Sequence, residues 1–142
     1  MLEASPQPGT HNPQPITSIF LTGATGFIGH RLAERMVAAG ASVTALVLPG
    51  EESLLPDGAR AITGDITDAS SVNRAITAAQ PALVVHLAAV GITNPDLPLT
   101  IASQVNVNGT INVLDAAHGI FGIQRIVLVG SSYEYGARRA DD

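Results

Sequence analysis

Cysteine is absent from this chain, which excludes disulfides and thiolate metal sites. The four histidines, His11, His30, His86 and His118, show no metal-ligand spacing, so no metal site is expected. Lysine is absent as well: all seven basic residues are arginine, which limits the proton-transfer chemistry open to the chain. Charged residues are scarce, at 13% against 46% hydrophobic, a balance that allows a sizeable buried core and argues against disorder. Positive charge is in the minority, and a net charge of −5 argues against a general nucleic-acid binder. Long apolar runs are missing too. The longest, residues 82–92, is broken by His86 and is too short to span a membrane. The N-terminus carries Glu3 where a signal peptide needs basic residues. These absences suit a cytoplasmic protein that meets neither membrane nor nucleic acid.

What remains reads as one domain behind a tail. Residues 1–15 hold four of the nine prolines and are expected to be a flexible segment. From residue 16 to 142 apolar runs alternate with helical patterns. Strands are expected over 18–22, 42–47, 60–62, 82–88 and 125–130. Helices are expected over 27–39, from a cap at Asp68 to residue 79, and as one long element over 97–121. On the first helix Ile28, Leu32, Met36 and Val37 share a face, and Gly40 closes it. On the second, Val72, Ala75, Ile76 and Ala79 form the buried stripe. Right-handed crossovers make this an α/β, doubly wound parallel sheet, Rossmann-like, with strand order 3-2-1-4-5. Ligands bind beyond the C-terminal ends of such strands, at the switch between the first and fourth.

The most informative stretch lies at that place. Thr22-Gly23-Ala24-Thr25-Gly26-Phe27-Ile28-Gly29 joins the first strand to the first helix. Gly23 permits a tight turn, Gly26 lets the backbone approach a diphosphate, and Gly29 lets helix pack on strand. The helix N-terminus then offers free N–H groups to the anion. Gly23, Gly26, Phe27, Ile28 and Gly29 are therefore the first candidates for cofactor binding. An acid usually ends the second strand to hold the ribose 2′-hydroxyl, but Val47 and Leu48 stand there. Glu51 and Glu52 follow and could reach back to the site, but an acidic surface loop is the commoner reading. That loop disfavours a 2′-phosphate, so NAD is expected, with NADP not excluded.

The G-x-x-G-x-x-G spacing, with His86-Leu87-Ala88-Ala89, Asn106-Val107-Asn108-Gly109-Thr110 and Ser131 four residues before Tyr135-Gly136, resembles the N-terminal part of an extended short-chain dehydrogenase/reductase, the NAD-dependent epimerase/dehydratase group. The resemblance runs from about residue 16 to 136. It implies a Rossmann domain and hydride transfer on a nucleotide sugar, with a homodimer as the expected full-length form. Asp65 and Ile66 would border the adenine, although Asp65 could instead shape a turn. Ala88 and Ala89 would let the cofactor lie on the backbone. Asn106 would support the active site from within the long helix, where it and Gly109 are poor helix formers. Gly109 would allow close packing of helix on sheet. Ser131, with Ser132 as runner-up, would bond the reacting oxygen of the substrate as the catalytic serine. His86 is expected to be a packed, hydrogen-bonded strand residue.

The family's chemistry also needs a tyrosine with a lysine four residues later, one helical turn away. Tyr133 and Tyr135 lack that lysine. The expectation is thus the cofactor-binding part of a longer enzyme, itself inactive. A stand-alone module that binds a dinucleotide without turning it over is the alternative.

Overall fold

The computed structural model describes residues 16–91, 94 and 96–131. The proline-rich segment 1–15, Ser132, Tyr133, Tyr135 and Gly136 lie outside the described residues.

Five parallel strands form one sheet in the order β3-β2-β1-β4-β5, as expected. They are β1 (Ser18–Thr22), β2 (Ser42–Val47), β3 (Arg60–Thr63), β4 (Leu83–His86) and β5 (Arg125–Leu128). The helices are α1 (Phe27–Ala38), α2 (Ala69–Ala79), α3 (Leu99–Ser103) and α4 (Gly109–His118). A parallel sheet covered on both faces buries every side chain of its central strands, which explains their unbroken apolar runs. Ile19 and Leu21 of β1 point to one face, with Val43, Ala45, Leu83 and Val85, beneath α1. Phe20 points to the other, with Leu46 and Val84, and meets Val72 and Ile76 of α2 and Val113 of α4. Phe20 has no exposed surface. Burial of such a side chain contributes about 1.5–3 kcal/mol.

Three expectations about elements change. Strands β4 and β5 stop short of residues 88 and 130. Thr22, the last residue of β1, pairs with His86, and His86 pairs with Leu128, so the ladder ends where the glycine turn removes the central strand. The long helix is interrupted by a wide π turn at Gln104–Asn108, in which the Gly109 N–H reaches the Gln104 carbonyl. Ile28 leaves the buried face of α1 and is 62% exposed, while Leu32, Met36 and Val37 pack on the core. Gly40 closes α1 as expected, at φ +84°.

Candidate functional site

Every strand end that attracted attention in the sequence opens on one edge of the sheet. A cleft of about 990 Å³ runs along it, lined by Gly23, Gly26, Phe27, Ile28 and Gly29, by Ala88, Ala89 and Asn106, and by Ser131. Beside it lies a recess of about 310 Å³, lined by Val47, Leu48, Glu51, Asp65 and Ile66. The two share Gly23, Gly26 and residues 87–90.

The three glycines have different duties. At Gly23, φ is +73°, and an added Cβ would come within 2.7 Å of the Ala88 nitrogen. At Gly29 an added Cβ would collide with the Gly23 carbonyl oxygen. The fold itself needs both. At Gly26 the nearest atom to an added Cβ is the Gly23 oxygen, at 3.4 Å, and the residue lies exposed between the two spaces. Its backbone is extended, and no side chain caps the N-terminus of α1. The first-turn N–H groups of a 12-residue helix therefore face a cradle that a side chain at Gly26 would fill. This donor set fits a diphosphate.

The floor of the cleft is held by a hydrogen-bonded chain that sequence reasoning found only in part. Asn106 binds both backbone groups of Val90, its Nδ2 donating to the carbonyl and its Oδ1 accepting from the N–H, each at 2.9 Å. Its amide is thus committed to the loop after β4, and Asn106 forms part of the cleft wall as a support. Thr110 donates to the Asn106 carbonyl at 2.7 Å. A carbonyl can only accept, so Thr110 Oγ1 has only lone pairs left for His86 Nε2, 2.9 Å away, and that nitrogen carries the proton. The bare Nδ1 then accepts from the Thr22 hydroxyl at 2.6 Å, whose oxygen in turn lies 3.3 Å from the Ala88 N–H. His86 is accordingly a buried structural histidine with both ring nitrogens occupied. Burial pushes its pKa below the ordinary 6.5.

This shift has a sign that can be checked. Above about pH 6.5 the ring is neutral in folded and unfolded chains alike, and its contribution to stability is complete. Below that the unfolded chain takes up the proton first, so stability falls until the pH drops through the lowered folded value. We expect the melting temperature to fall between about pH 7 and 5.5. His86→Gln should melt lower throughout and lose most of that slope. A wild-type melting temperature independent of pH over this range would contradict the assignment.

Other candidates are partly redirected. Asp65 is exposed and lines the recess, but its Oδ1 accepts from the Thr67 N–H at 2.8 Å, so it shapes the turn as well. Asp68 caps α2 through the Ser70 N–H, and the Ser70 hydrogen bonds lower its pKa. An added Cβ on Gly109 would meet the Ile66 side chain at 2.7 Å, so the close packing is against the loop after β3 and not the sheet. Phe27 stands 92% exposed at the mouth of the cleft. Among the described residues no group of three or more His, Cys, Asp or Glu could hold a metal, and no helix is long and apolar enough to cross a membrane.

Residues 19–142 match the NAD dependent epimerase/dehydratase family. A 3-diazoavenalumate denitrifying reductase from Streptomyces is 35% identical over 112 residues, 77% of this chain and 36% of that protein. A dTDP-L-rhamnose 4-epimerase from Burkholderia thailandensis is 33% identical over 131 residues, 83% of this chain and 35% of that protein. The crystal structure of the Bordetella bronchiseptica enzyme WbmG, in complex with NAD and UDP, is similar with a TM-score of 0.73. It is 32% identical, over 83% of this chain and 38% of that one. The chain therefore spans little more than a third of the length of these relatives.

Proposed function

Because the chain belongs to the NAD-dependent epimerase/dehydratase family, we propose that it is the cofactor-holding part of an enzyme that transfers hydride between NAD and a nucleotide sugar. The observation that carries this reading is the bare cradle at Gly26, open to both the cleft and the recess. A dinucleotide has that shape: two nucleoside halves joined by a diphosphate. The amides at the start of α1 would take the diphosphate and the smaller recess the adenosine. Ala88 and Ala89 would let the nicotinamide half lie along the backbone of the larger cleft. When bound, NAD supplies the hydride acceptor. Ser131, at the far wall of the cleft, would hydrogen-bond the substrate oxygen whose carbon loses hydride. The substrate class draws support from the rhamnose-nucleotide epimerase and from the UDP held by the Bordetella enzyme.

The second reading is a module that holds the dinucleotide without turning it over. Both readings require binding. Calorimetric titration of the purified chain with NAD and NADH should give saturable binding at one site. Failure of both to bind at millimolar concentration would remove the proposal in either form.

A further inference from the structure

Dinucleotide folds commonly hold the adenosine ribose with an acid at the end of the second strand. Here that place is taken by Val47, which is buried, and Leu48, which is exposed. The chain then doubles back. Pro49 and Gly50 have the pattern of a type II turn, with Gly50 at φ +89° and the Glu51 N–H bonded to the Leu48 carbonyl at 3.1 Å. The turn sets Glu51, half-buried, on the wall of the recess. Its Oε2 accepts from the Thr25 hydroxyl at 2.9 Å, and Thr25 sits inside the glycine turn. Glu52 diverges and accepts from Thr63.

These contacts order the recess. Glu51 lies on the side of the diphosphate cradle, and Asp65 and Ile66, beyond β3, form the other side. A ribose joins diphosphate to adenine, so its hydroxyls fall between the two. We propose that Glu51 accepts from the adenosine ribose hydroxyls and is the residue that selects NAD against NADP. This rests on the dinucleotide reading above. Thr25 fixes one carboxylate oxygen and leaves Oε1 for the ligand. A 2′-hydroxyl can donate to it. A 2′-phosphate has no such donor to offer and brings a charge of about −1.5 to −2 against the carboxylate.

The test compares NAD and NADP affinities, by calorimetry, for wild type, Glu51→Gln and Asp65→Asn. In Glu51→Gln the amide oxygen can still accept from Thr25, so the loop should keep its place and the melting temperature should hardly move. The NAD-over-NADP ratio should fall about tenfold or more, the size of one charge-assisted hydrogen bond. Asp65→Asn should leave the ratio within about twofold of wild type. If Glu51→Gln keeps the wild-type preference, or if Asp65→Asn is the variant that loses it, the assignment is wrong and the dinucleotide reading stands. If wild type binds neither nucleotide, the dinucleotide reading falls and takes this assignment with it.

Discussion

Gly26→Val should bind NAD at least about 100-fold more weakly than wild type, a loss of about 2.8 kcal/mol, while melting within a few degrees of it. The two halves of this expectation have separate causes. Position 26 has φ −79° and ψ 170°, which valine adopts readily. An added Cβ meets nothing closer than the Gly23 oxygen at 3.4 Å, so the fold loses little beyond the difference between glycine and valine at an N-cap, about 1 kcal/mol. The branched methyls, however, enter the space in front of the first amides of α1, where the diphosphate must lie. Gly29→Ala makes the contrast. Its new methyl would collide with the Gly23 carbonyl, so it should lose stability and binding together. Calorimetry and thermal melts on both variants separate the outcomes. Equal NAD binding by wild type and Gly26→Val would overturn the cradle.

No turnover should be detectable when this chain is incubated with NAD and a panel of nucleotide sugars. A positioned acid or base with a matched pKa contributes about 10² to 10⁴ in rate. The chain has no lysine to lower a tyrosine pKa from its ordinary value of about 10. Histidine does not replace it. Both ring nitrogens of His86 are engaged by threonines, His30 bonds the Leu54 carbonyl, and neither His30 nor His118 lines the cleft. Ser131 lies on the cleft wall, where its hydroxyl can bond a substrate oxygen, a positioning role that still leaves the acid–base step to another group. Reduced cofactor followed by absorbance, and products by chromatography, should stay at the level of a protein-free control. Turnover that disappears in Ser131→Ala would sink this expectation and require a different base.

The sheet was readable because its signals are local and redundant. The strand-turn-helix at Gly23 to Gly29 and the alternating apolar and amphipathic runs each point to one topology, and the order 3-2-1-4-5 follows from the handedness of crossovers. The limits of β1 and β2 agree with the sequence reading to the residue. The limits of β4 and β5 could not be read, because Leu87, Ala88 and Val129 are as apolar as a strand requires. Their pairing stops where β1, the neighbour of β4, has turned away. The poor helix formers Asn106 and Gly109 signalled a local demand within the long helix, yet its nature lay in Val90 and Ile66, distant in sequence. Thr22 and Thr110 carried no signal alone, since threonine is ordinary in strands and helices. They gain meaning only as the two neighbours of one buried imidazole. Glu51 was legible only as one of two acids after β2 that could reach back, with an acidic surface loop as the commoner reading. The available clue to its return was the Pro-Gly pair before it, which marks a reversal without saying what it meets.

The π turn at 104–108 makes the long helix a matter of counting. Its i to i+5 bond takes up one residue more than an α-helical turn holds, and beyond it Gly109 faces Ile66 and Thr110 faces His86. Removing one residue from that wide turn would let it close as an ordinary α-helical turn and keep α4 near its present phase. Removing one from within α4 would instead rotate everything beyond the cut by about 100° about the helix axis. A loss before Val113 would swing that side chain off the core. Tolerance to length change should therefore differ sharply along one continuous helix, greater at the π turn than a few residues later.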